Sequence, residues 1–128
     1  MKKYIPTPVF YTLITFLFLL NSTEGKAVDY DFQFQIKDLV TTEKCVLGYY
    51  SGNFTYAIDS SKVAKNGLVK FTGNRDLLDG LYFLMVPKLG MIDFIVYKDY
   101  QFQIKTEAAN LKKYLSVKGS KENEAYFA

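Results

Sequence analysis

Residues 30–37 read YDFQFQIK. Phe32, Phe34 and Ile36 alternate with Asp31, Gln33, Gln35 and Lys37. A strict period of two puts one set of side chains on each side of an extended chain, which marks a strand with one buried and one wet face. Residues 100–107, YQFQIKTE, follow the same rule, with Tyr100, Phe102 and Ile104 alternating with Gln101, Gln103 and Lys105. QFQIK occurs in both stretches without flanking similarity, so they read as two strands under one rule and not as a repeat.

Working outward, turn residues punctuate further strands. Cys45–Ser51 and Phe54–Ser60 flank Gly52-Asn53, a Gly-first pair suited to a type II′ hairpin. Asn66-Gly67 suits a type I′ turn between strands near 60–64 and 68–73. Asp79-Gly80 opens the apolar run 81–86, and Pro87-Lys88-Leu89-Gly90 leads into 91–97. These two runs are the most continuously apolar and are expected to be central strands, with Asp93 facing outward or an edge. Lys98-Asp99 is expected to hairpin into 100–106. Residues 108–114 allow a turn or two of helix, and 115–118 a last strand. Ser120 is a good N-cap, with Glu122 and Glu124 in the first turn after it, where the helix dipole favours negative charge.

The fold expected is all-β: one small antiparallel β-sandwich of about 7–8 strands, given turn signals every 8–12 residues or so. An N-terminal signal peptide precedes it and a short helix start follows. Lys2 and Lys3, an apolar run of 12 at residues 9–20 and a small-residue exit ending at Gly25 or Ala27 are the three parts of a secretory signal. A spanning helix needs about 20 apolar residues. The expected organisation is signal peptide 1–27, β-sandwich 28–119, and the start of a helix at 120–128.

The chain has 128 residues, no histidine and one cysteine, Cys45. It cannot by itself assemble a Ser-His-Asp triad, a Cys-His nucleophile, a Cys/His zinc site or an internal disulfide. From Lys26 onward, with Lys2, Lys3 and Glu24 left out, the formal charge falls from +3 to +2. So small and dispersed a charge implies no nucleic-acid or anionic-membrane partner. Cys45 reads as a buried or half-buried strand residue, the use to which free cysteines are mostly put, with an intermolecular disulfide as the alternative in an oxidising compartment. Redox use would require a nearby cation or helix N-terminus. The carboxylate pairs Asp29/Asp31 and Asp76/Asp79 lack the oxygen density of a calcium loop and suit turn and surface roles. Asn53-Phe54-Thr55 matches an N-glycosylation acceptor on an exposed turn. Tyr49, Tyr50, Phe54 and Tyr56 gather at one hairpin. They could form a sugar- or peptide-binding face, or could pack across strands as Tyr and Phe commonly do.

Four segments in order carry a resemblance: LGYYSGNFTYAID at 47–59, GLVKFTGNRDLLDGLYFL at 67–84, MIDFIVYKDYQFQIKTE at 91–107 and LSVKGSKENEAYFA at 115–128. From about Tyr30 onward the chain resembles the N-terminal domain of unknown function that precedes a thioredoxin-like domain in many exported proteins of Bacteroidota. The resemblance implies a non-catalytic accessory domain of an exported thiol:disulfide interchange protein, in the periplasm or cell envelope and soluble after signal cleavage, for no lipid-attachment cysteine lies near the cleavage site. It implies that the helix begun at Ser120 leads to a C-terminal domain that carries the Cys-x-x-Cys chemistry. The implied partners are that domain and a protein or peptide thiol substrate, with no nucleic acid and with the membrane met only through the export signal. No cofactor, metal ligand or catalytic residue carries over. The alternative is a stand-alone secreted β-sandwich binding module, using the Tyr49, Tyr50 and Tyr56 surface.

Overall fold

The computed structural model describes residues 26–128, so the signal reading lies outside the described residues. The alternation of residues 30–37 becomes β1 (Val28–Lys37), whose Tyr30, Phe32, Phe34 and Ile36 are buried. The strands that follow are β2 (Cys45–Ser51), β3 (Phe54–Ser61), β4 (Leu68–Arg75), β5 (Gly80–Val86), β6 (Gly90–Val96), β7 (Gln101–Glu107) and β8 (Ser116–Lys118). A single helix, α1 (Lys121–Phe127), closes the described chain. The strands form two four-stranded sheets, in the orders β4-β1-β7-β8 and β3-β2-β5-β6. The chain is therefore an all-β sandwich.

Packing between the sheets is aromatic. Phe94 of β6 reaches across and meets Phe34 at 5.3 Å, Phe102 at 5.8 Å and Phe32 at 5.9 Å between ring centroids, all edge-on. Phe32 stacks on Phe102 of the neighbouring strand at 4.6 Å. Offset and edge-to-face arrangements of this kind let the positive ring edge meet the negative ring face.

Four details differ from the sequence expectation. First, the sandwich is antiparallel except where β1 pairs with β7, which is parallel and in register from Asp31↔Gln101 to Lys37↔Glu107. The two QFQIK stretches thus lie side by side, offset by two residues, so both keep their apolar residues on the same face. Second, Asn66-Gly67 closes no hairpin, because β3 and β4 lie in different sheets. A type I′ turn needs positive φ at both central residues, and only Gly67 has it, at 84°. Gly67 is needed for another reason: a Cβ there would sit 2.2 Å from the Ile36 carbonyl oxygen. Third, Lys98-Asp99 carries the chain between sheets. Asp99 N donates to Tyr97 O at 2.7 Å across Lys98, whose φ is 65°, a γ-turn. Asp31 N then donates to Tyr100 O at 2.9 Å, which brings the chain onto the β1 sheet.

Fourth, β5 is central as expected but β6 is an edge strand. Its open edge is met by α1. Ser120 caps the helix, accepting from Asn123 N at 3.2 Å. Asn123 is fully buried, and its side chain bonds both backbone groups of Ile95. Residues 108–114 form turns without helix, held by Thr106 Oγ1 donating to Leu111 O at 2.9 Å.

The two outer faces differ in chemistry. The β1 sheet presents Asp31, Gln33, Gln35 and Lys37 beside Leu68, Lys70 and Thr72 on one side and Gln101, Gln103 and Lys105 on the other. The β2 sheet presents rows of apolar residues: Val46, Met85 and Met91 in one row, Gly48, Phe83 and Asp93 in the next, then Leu81 and Ile95. Asp93 faces outward, as the sequence implied.

Candidate functional site

The β2–β3 hairpin is built as its sequence suggests. Gly52 has φ 60° and Asn53 does not turn positive, which fits a type II′ turn between Ser51 and Phe54. Tyr49 and Tyr56 are cross-strand partners, and their rings stack at 5.2 Å. Tyr49 also meets Tyr82 at 5.8 Å and packs against the core. Tyr50 follows Tyr49 in the strand and so points to the other side of the sheet. The three tyrosines therefore do not share one surface. The corrected picture is a Tyr49/Tyr56 pair on the inner side near an edge, with Phe54 exposed at the turn, and a separate Tyr50 site on the outer face.

That outer site has a definite construction. Gly48 has no side chain, and a Cβ there would lie 2.3 Å from Phe83 Cζ and 2.5 Å from Tyr56 O. Phe83 therefore packs over Gly48 and is almost fully buried although it faces outward. The Tyr50 ring packs on Phe83 at 5.2 Å. Its hydroxyl donates to Asp93 Oδ1 at 2.8 Å. Burial, the bond to Asp93 and the nearby Asp93 charge push the Tyr50 phenol up to about 12. Asp93 is the one charged group in these apolar rows, and it is already engaged. The β2–β3 pairing shifts at Leu47/Gly48, next to this feature, where Ile58 is the extra, bulged residue of β3. The sequence showed the aromatic cluster but not the Phe83–Gly48 contact, which depends on the β2–β5 register.

Cys45 is fully buried on the inner face of β2. Burial pushes its thiol up to about 11. At neutral pH it stays protonated, and the thiolate is the reactive form. Asp31 faces Lys70, with Nζ 3.8 Å from Oδ2, and accepts from Gln33 Nε2 at 3.2 Å. Asn74 donates to Asp29. Tyr82, which donates to Leu78 O at 2.6 Å, has its phenol pushed up to about 12, first by burial and then by nearby Tyr49 and Asp79. Among the described residues no group of three or more His, Cys, Asp or Glu is placed to hold a metal ion. Among them, too, no helix is long and apolar enough to cross a membrane. A hollow of about 590 Å³ is lined by Lys37, Lys65 and Lys105 with Asp38 and Glu107, so opposite charges share its rim.

The family model described as "Domain of unknown function (DUF4369)" matches residues 30–126. The chain belongs to the DUF4369 family. The matched span runs from the first buried tyrosine of β1 into α1, so the sandwich and the helix that closes its β6 edge fall within the DUF4369 match. No curated protein and no solved structure matches.

Proposed function

We propose that this DUF4369 domain is a non-catalytic accessory module of an exported thioredoxin-like thiol:disulfide interchange protein, in the periplasm or cell envelope. It positions the redox domain or presents a protein or peptide thiol to it. The observation that carries this reading is the anchoring of α1. Seven residues are too few for a helix to persist alone. Asn123 ties this one to the backbone of β6, and Ser120 caps it. In the arrangement that the resemblance implies, α1 is the joint to the redox domain, and a joint locked to a sheet edge gives that domain a fixed point of departure.

Cys45 supports the same reading. A buried thiol with a raised pKa is a poor partner in exchange, which proceeds by thiolate attack on a disulfide sulfur. Exchange would belong to the Cys-x-x-Cys pair of the redox domain. The test is the coding sequence downstream of Ala128. An in-frame Cys-x-x-Cys domain, about one domain length of some 100–150 residues on, supports the proposal. A stop codon directly after Ala128 overturns it. The second reading, a free-standing binding module, has one observation in its favour: Phe54 is 69% and Tyr56 46% exposed at the hairpin. The same stop codon would favour it.

A further inference from the structure

Asn123 meets only part of the open edge of β6. In an antiparallel pair, every second residue turns both its N–H and its C=O away from the partner strand. Ile95 is such a residue, since both its backbone groups go to Asn123. The β5–β6 pairing runs without a shift from Gly80↔Val96 to Val86↔Gly90, so Asp93 and Met91 turn their groups the same way. No hydrogen bond meets these four groups among the described residues.

This stretch of edge lies in a walled groove. Residues 108–115 link β7 to β8, and two hollows separate them from β6. One, of about 480 Å³, is bordered by Asp93, Lys112, Lys113 and Tyr126. The other, of about 340 Å³, is bordered by Leu89, Met91, Ala109 and Lys112. Lys112 lines both, so the two follow one another along β6.

Backbone, space and charge together choose the occupant. Free N–H and C=O groups at the spacing of a strand are matched by another extended chain, whereas a helix has already satisfied its own. Hollows of a few hundred Å³ take a short single chain, whereas the edge of a second folded copy brings a whole sheet with it. Three lysines, Lys88, Lys112 and Lys113, border the groove against one carboxylate, Asp93, which already accepts from Tyr50. That balance favours acidic side chains.

We propose that the open edge of β6 is a strand-addition site for an extended acidic peptide. The peptide exchanges backbone hydrogen bonds with Met91 and Asp93 and sets its carboxylates against Lys112 and Lys113. The site lies wholly within the described residues, so it goes beyond the accessory-domain reading and does not depend on it.

The probe is a fluorescent hexapeptide that alternates aspartate with valine, titrated against the full chain and read by anisotropy. Amide exchange with solvent, resolved by NMR, reports where it sits. Strand addition predicts saturable binding that weakens with added salt. Exchange at Met91 and Asp93 should slow at least about tenfold once the peptide is in tenfold excess over its Kd. Lys112→Glu combined with Lys113→Glu should weaken binding about tenfold, from about threefold for each exposed ion pair, with an unchanged circular dichroism spectrum. Alternate nitrogens of a strand face opposite sides, so methylating the set that faces β6 should abolish binding and methylating the other set should not.

Unslowed exchange at Met91 and Asp93 overturns the proposal, as does slowing along β3 instead, which would put the peptide on the opposite edge of the sheet. Equal binding of a peptide with lysine in place of aspartate overturns the acidic preference. Slow exchange at both amides before any peptide is added overturns it in favour of a second copy if dilution relieves it, and of a further stretch of the same chain if dilution does not.

Discussion

Asn123 takes the place of a fifth strand beside Ile95. Its Oδ1 accepts from Ile95 N at 2.7 Å, and its Nδ2 donates to Ile95 O at 2.7 Å. A side-chain amide has the same donor and acceptor as a peptide group, so one residue can satisfy both edge-facing groups of one strand residue. Nδ2 also donates to Ser120 Oγ at 3.0 Å. One side chain thus links helix cap, helix and sheet edge. An edge strand with free backbone groups is a template for unwanted pairing, and a covering helix is one way to blunt it.

Asn123→Ala is expected to remove these bonds and leave the part-buried edge groups of Ile95 without their partner. The loss should be about 2–3 kcal/mol, from net bond energies near 1 kcal/mol each plus the cost of an unsatisfied group. Urea denaturation measures it. An unchanged midpoint would mean that α1 contributes nothing to the stability of the sandwich.

Phe94→Ala should be the most damaging single truncation in the core. Phe94 touches Phe32, Phe34 and Phe102 in the opposite sheet and Tyr82 in its own. Emptying a buried Phe site costs about 3–5 kcal/mol. The check is the midpoint of denaturation, with Phe94→Leu recovering at least half of the loss.

Gly48→Ala adds one carbon where Phe83 and the Tyr56 backbone leave no room. Overpacking of this kind costs about 1–3 kcal/mol. Gly48→Ala combined with Phe83→Leu should cost less than the sum of the two single changes, because the shorter side chain vacates the contested space. Strict additivity in that double-mutant cycle would rule out the clash as the cause.

Cys45 should resist alkylation in the native state. A shift from 9.0 to about 11 leaves about one-hundredth of the usual thiolate at neutral pH. Iodoacetamide labelling should therefore be at least about a hundredfold slower than in denaturant. The same shift has a consequence for stability. The folded pKa lies above the unfolded one, so the unfolded chain releases the proton first as pH rises. The contribution is complete below about pH 9 and is lost as pH rises toward 11. Cys45→Val removes this component. The wild type should lose roughly 1–3 kcal/mol more than the variant across that window, and identical pH profiles for the two would refute the assignment.

Local pattern was enough to locate the strands. The alternation at 30–37 and 100–107, and the Gly-first turn at 52–53, depend only on side-chain period and on backbone angles that glycine tolerates. The Ser120 cap was legible for the same reason. Asn123 was not, because nothing in KENEAYF says that its third residue faces a sheet edge.

The aromatic hairpin shows the limit within one element. Tyr49, Tyr50 and Tyr56 are neighbours in sequence or across a turn, yet strand pleat sends Tyr50 to the opposite face. Its partners, Phe83 and Asp93, are more than 30 residues away. A site assembled by strand pairing has no local signature.

The sequence by itself determined the class of fold, the strand faces and the absence of histidine and of a second thiol. Those follow from composition and from the two-residue period of an extended chain. Tertiary structure alone decided that the two QFQIK strands run parallel, and that of the continuous apolar runs at 81–86 and 91–97 the first is a central strand and the second an edge. A strand reads as apolar throughout when both its faces meet apolar surroundings. Here one face of each run fills the core, and the other lines up with β2 to make an open apolar surface. Only the register of three strands, set by pairings between residues far apart in the chain, brings those side chains into one patch.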